Sequence, residues 1–215
     1  MSEALDRQQH EVSPNLELEL RTKISEWLPE LSQILPEVPL DAEILFDNNW
    51  LIPDTGTGGF AMEPKKIALA FNPEFTGDKE EQMVNFKGSL FHEMYHLVQG
   101  FVGNDESLNG ISALENAIYE GAATKFEVLR AGTNPGWSQY PEEIEDWVRE
   151  IAKVGNEYDY GKWKFYDPET NRRWILYRSG CYIVDQAILK SGKAIEELAK
   201  TPPMEIFEMS GIEIK

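Results

Sequence analysis

The run SLFHEMYHLVQG (89–100) holds two histidines four positions apart, with a glutamate directly after the first. The whole chain has only three histidines in 215 residues. On a helix, His92 and His96 project from one face, one turn apart. That is the separation at which two imidazoles reach one zinc ion at ~2.0–2.1 Å each. Glu93 is displaced from the imidazoles and is placed to act as general base toward a zinc-activated water, so His-Glu-Met-Tyr-His reads as an HExxH arrangement. A bland alternative is a pair of surface histidines on a solvated helix face.

A catalytic zinc takes three protein ligands and keeps one position open. No histidine follows His96, and Gln99 and Val102 stand where a metzincin has glycine and histidine. His10 precedes the motif in a polar terminus and is a poor candidate. The third ligand is therefore expected to be a carboxylate of the next helix, SALENAIYEGAATKFEVLR, which offers Glu115, Glu120 and Glu127. Its bulky residues Leu114, Ile118, Ala122, Phe126 and Leu129 form one stripe, and Ala113, Ala117, Gly121 and Thr124 form a small-residue face. Glu120 borders that small face, where a neighbouring backbone can approach closely, and is the first choice, with Glu127 in reserve. Gly121 weakens a helix by about 1 kcal/mol relative to alanine and calls for a packing reason.

These side chains depend on the elements that carry them. Residues 80–99 read as one helix, with Met83, Phe86, Leu90, Met94 and Leu97 on a stripe pointing away from the histidines, closed by Gly100 and Gly103. A second helix covers about 112–129. An amphipathic N-terminal helix spans about 15–35 and stops before Pro36 and Pro39. Short β-like stretches follow at 43–46 and 50–52, then a glycine-rich turn TGTGGF (55–60) and a strand KKIALAF (65–71). Beyond the second helix come a loop at 133–141, a helix at 142–154, an irregular tract at 155–171 and C-terminal helices near 173–190, 193–200 and 203–209. The pattern predicts an α+β fold: a small, twisted, mostly antiparallel sheet packed on the HExxH helix, with a helical C-terminal part. It divides into residues 1–38, a tail and helix packed on the core, and residues 39–215, the main domain.

Composition narrows the partners. Twenty Lys and Arg against 38 Asp and Glu give a net charge of −18, which repels phosphate backbones and anionic lipid. Neither nucleic acid nor membrane is an expected partner. One cysteine, Cys181, cannot form an internal disulfide. No signal peptide or membrane span is readable, so a cytoplasmic protein is expected.

HEMYH followed by Glu120-Gly-Ala-Ala resembles the gluzincins, zinc peptidases with HExxH and a downstream glutamate. More narrowly, the chain is similar to a group of predicted bacterial zinc-dependent proteases of uncharacterised substrate. GTGGF–KKIALAF, the segment Tyr177-Arg-Ser-Gly-Cys-Tyr182-Ile-Val, AIEELAK and PPMEIFE carry the looser part of that likeness. The resemblance implies a zincin-like fold and a zinc metallopeptidase in which His92, His96 and Glu120 hold zinc and Glu93 is the base. With no further histidine, the oxyanion needs a donor from the segment the resemblance brings near the site: Tyr177 first, then Tyr182 and Arg178. A peptide or protein substrate is expected along an edge at Ile67–Phe71, bracketed by Pro64 and Pro73. Two other functions are weighed: a non-catalytic, zinc-stabilised binding or regulatory protein, and a metal-dependent hydrolase of non-protein amides or esters.

Overall fold

The computed structural model describes residues 12–103 and 110–214; His10 lies outside them. Among the described residues the fold is α+β. Helix α1 (Pro14–Ile34) leads into β1 (Glu43–Phe46), a 3-10 turn at Asn48–Trp50, β2 (Thr57–Glu63) and β3 (Lys66–Phe71). Then follow α2 (Lys79–Gln99), α3 (Ala113–Ala131), α4 (Ile144–Val154), the short α5 (Tyr160–Lys164), the β4–β5 hairpin (Tyr166–Asp167 and Arg172–Arg173), α6 (Ile175–Ser191), α7 (Ile195–Leu198) and α8 (Pro203–Ser210). No helix among the described residues is long and apolar enough to cross a membrane.

The main sheet has the order β1-β3-β2, with β1 parallel and β2 antiparallel to β3. Here the expectation for Ile67–Phe71 is overturned: β3 is the central strand, not an edge. Pro64 and Pro73 lie outside the strand, so both of its hydrogen-bonding rows stay intact. Its near-continuous apolar run, buried from Ile67 to Phe71, is what a doubly covered strand requires. The edge belongs to β2. The segment read as a glycine-rich turn is mostly this strand, and 50–52 holds the end of the 3-10 turn and a single bridge from Ile52 to Thr57 rather than a strand.

Helix α2 is the axis of the fold. Asp78 caps its N-terminus by accepting from the Glu80 and Glu81 amides, and Gly100 ends it at φ 73°. The stripe of Phe86, Leu90, Met94 and Leu97 is buried as its spacing predicts, and every residue from Leu90 to Val98 is buried as well. The histidine face is therefore interior, covered by α3 on one side and by the sheet on another. Leu20, Ile24 and Leu31 of α1 join the same core cluster as α2.

Helix α3 begins with a reciprocal cap: Ser112 accepts from the Glu115 amide, and the Glu115 carboxylate accepts from the Ser112 amide. Its small face has a packing reason, but the partner is α6 rather than α2. A methyl on Gly121 would fall 2.1 Å from the Gly180 carbonyl carbon, and one on Gly180 would fall 1.7 Å from the Ala117 oxygen. Only a glycine pair lets these helices cross so closely.

Candidate metal centre

His92 and His96 are 7% and 4% exposed, and Glu120 of α3 is 2% exposed. The solvated-face alternative for the histidines is thereby removed. Nε2 of His92 lies 3.0 Å from Nε2 of His96, and Oε2 of Glu120 lies 3.3 Å from the first and 3.4 Å from the second. Ligands ~2.05 Å from a tetrahedral zinc stand roughly 3.3–3.4 Å apart. The three atoms fit that ion in spacing and in donor type, and together they form a group able to hold a metal. No fourth His, Cys, Asp or Glu joins them among the described residues.

The rest of each ring is held. Nδ1 of His92 is 3.2 Å from Oε2 of Glu127, and Nδ1 of His96 is 2.8 Å from Oε1 of Gln99. Glu127, seven residues after Glu120 on the same helix face, thus meets the far side of an imidazole instead of the ligand cluster. Glu115, committed to the α3 cap, meets neither. Burial opposes a charge on His92, but its bonds to Glu120 and Glu127 outweigh this and bring its pKa up to about 10.

Glu93 is buried beside the cluster. Burial raises its pKa, against the pull of His92 and His96. Strand β2 passes over it: a methyl on Gly59 would fall 2.6 Å from Cγ of Glu93 and 3.0 Å from its Oε1. Glycine at 59 is what lets an edge strand lie against this carboxylate. Along the outer side of β2, the carbonyl of Thr57 accepts from Ile52 and that of Ala61 accepts from Gly103. Gly59, midway between them, faces the same way by the two-residue period of a strand.

These groups open into a cavity of about 860 Å³, within the size range of ligand pockets. Its aromatic wall includes Trp50, Phe60, Phe165, Trp174 and Tyr177. Trp50 and Phe60 stack at 4.0 Å with their planes 8° apart. Trp174 precedes α6 with φ 62°, a left-handed conformation for a bulky residue, and packs against Trp137 and Tyr177. Such a backbone persists only where its surroundings over-determine it.

Of the three expected oxyanion donors, the fold brings only Tyr177 to the cavity, its ring 6.3 Å from that of His92. Burial and then the Glu120 charge hold its phenol well above its ordinary pKa, so it stays a hydrogen-bond donor. Arg178 and Tyr182 turn elsewhere on α6. Arg178 donates to the Gly136 carbonyl at 3.1 Å, and Tyr182 donates to Glu145 at 2.9 Å. One and five residues beyond Tyr177, they are rotated about 100° and 140° from it on a helix.

Two cavity residues escaped the sequence reading. Lys164 donates to Oε1 of Glu120 at 2.8 Å, and the Tyr160 hydroxyl donates to the same oxygen at 3.4 Å. Burial disfavours charge on both partners of the pair, yet Lys164 holds the Glu120 carboxyl well below the usual range, helped by the imidazoles, and Glu120 keeps the Lys164 ammonium well above its own. Tyr160 and Lys164 are four apart on α5, in the tract read as irregular.

Residues 20–208 match the profile of a family described as "Predicted Zn-dependent protease (DUF2268)". No curated protein and no solved structure gave a match.

Proposed function

We propose, from the premise that this chain belongs to the family of predicted Zn-dependent proteases, that it is a gluzincin-type metallopeptidase with His92, His96 and Glu120 as zinc ligands and Glu93 as general base. The observation that carries this reading is the convergence of two Nε2 atoms and one carboxylate oxygen at 3.0–3.4 Å, with Glu93 buried beside them. Zinc bound there supplies a Lewis acid that polarises a carbonyl and makes water a nucleophile near neutral pH.

The chain's own residues do the rest. Glu127 and Gln99 fix the orientation of the two imidazoles through their Nδ1 atoms. Glu93 takes the proton of the attacking water and hands it to the departing amine nitrogen. Tyr177 donates a hydrogen bond to the oxygen on which negative charge develops. The substrate enters as an extended peptide on the outer side of β2, pairing with the N–H and C=O of Gly59 directly beside Glu93, while the aromatic wall receives its side chains. This edge replaces Ile67–Phe71. The open position of the ligand set among the described residues favours turnover over a closed, purely structural zinc site. Within this reading residues 39–215 are the catalytic unit, residues 1–38 buttress it, and a cytoplasmic setting suits the single buried thiol Cys181.

The test is metal analysis and peptide hydrolysis of the parent beside Glu93→Gln. About one zinc per chain is expected in both, with hydrolysis reduced ~10²–10⁴-fold in the variant. Equal hydrolysis by the two proteins removes Glu93 as the base, and a parent that takes up no zinc removes the reading altogether.

A further inference from the structure

Glu120 uses its two oxygens for different purposes. Oε2 faces the histidine nitrogens, whereas Oε1 accepts from Lys164 at 2.8 Å and from Tyr160 at 3.4 Å. Lys164 also donates to the Tyr160 hydroxyl oxygen at 2.9 Å, so ammonium, phenol and carboxylate close a triangle. Helix α5 has only five residues, but it is pinned: Asp159 caps it by accepting from the Lys162 amide, and Trp163 is buried in the core cluster. Side chains four apart on it must point the same way. The Lys164 side chain is 15% exposed and Glu120 is the one carboxylate within ion-pair distance of it among the described residues.

A carboxylate can grip a metal with one oxygen or with both. A charge-assisted hydrogen bond to one oxygen makes the two-oxygen grip costly, because an oxygen whose charge is drawn toward the metal accepts less strongly from the ammonium and the phenol. Resting on the metal reading above, we propose that Lys164, with Tyr160, is a positioning residue that restricts Glu120 to one-oxygen ligation and so keeps a coordination position of the metal free for water and substrate.

Cobalt(II) put in place of zinc tests this without turnover, since its visible absorption reports coordination number. The parent should take up one cobalt per chain and show the intense bands of a four-coordinate site. In Lys164→Met the second oxygen of Glu120 is released, and the bands should weaken several-fold as the coordination number rises. Lys164→Arg, which keeps a cationic donor, should restore the parent spectrum, a recovery that mere packing would not produce. Parent-like bands in a folded, cobalt-loaded K164M overturn the inference while leaving the metal reading intact; a parent that binds no cobalt overturns both. Should circular dichroism show K164M unfolded, Tyr160→Phe decides: a smaller weakening in the same direction supports the inference, and an unchanged spectrum overturns it.

Discussion

The floor of the cavity comes from two long helices, α2 and α3, and its roof from the segment between Tyr158 and Tyr177, where a five-residue helix, a hairpin of two-residue strands and a left-handed tryptophan succeed one another. Both meet at Glu120: the floor presents its Oε2 to the histidines, and the roof holds its Oε1. The floor achieves its geometry by repetition. Caps at Asp78 and Ser112 fix where each helix starts, and the 3.6-residue period does the rest. In the roof only α5 has a period, which aims Tyr160 and Lys164 together, and its other side chains are aimed by separate local contacts. The clustered nitrogen and oxygen atoms thus come from long regular helices, and the side chains that hold the far oxygen of Glu120 come from a short one.

Breaking the floor should have the largest effect. His96→Ala removes one of three donors and should reduce zinc content from about one per chain to near zero, read by elemental analysis, with hydrolysis lost altogether. A retained zinc would mean that the floor is not the metal's anchor. Next is Gly59→Ala, whose methyl must displace Glu93. Misplacing a reacting group by about an ångström costs ~10²-fold, so kcat should fall by about that factor with zinc content unchanged. A variant with parental kcat would separate β2 from the chemistry.

The floor should also betray itself in pH dependence. In the metal-free chain His92 has its pKa raised from 6.5 to about 10. The stability this adds is fully present below the lower value and is lost as pH rises through the higher. The unfolding midpoint of chelator-treated protein should therefore decline across this window. Zinc-loaded protein, whose His92 has given its proton up, should not follow it. Parallel curves would show that His92 carries no such charge. The smallest effect belongs to the cavity wall: Trp50→Ala should raise KM severalfold and leave kcat and zinc content near parental values, since in the proposed pose the ring meets substrate side chains and not the reacting bond. A fall in kcat alone would extend the chemistry into the wall.

What the sequence disclosed follows the same division. His92, Glu93 and His96 were legible because a helical period turns spacing into direction. Glu120 was legible because the absence of further histidines left carboxylates, and the small face around Gly121 singled one out, although that face turned out to serve α6. The place of Tyr177 in the cavity emerged only as one of three neighbours, because a stretch of sequence tells which residues are close but not which way α6 is rotated. Lys164 and Tyr160 were missed because five residues are too few to display a period, and one lysine among many charges carries no mark. The edge was misplaced at Ile67–Phe71 because prolines that bracket a strand suit an edge without requiring one; the unbroken apolar run was the better guide. The glycines of β2 read as a turn because their reasons are contacts of the folded chain: the Trp50 carbonyl against Gly58, and the Glu93 carboxylate, more than thirty residues away in α2, against Gly59.

The meeting of Gly121 and Gly180 lies one residue along α3 from Glu120. No charge is needed there, yet that bare seam lies directly behind Glu120 and fixes how near α6 stands to α3. A methyl slipped into it would force the two helices apart and so shift Glu120 from behind, without altering a single atom of that carboxylate.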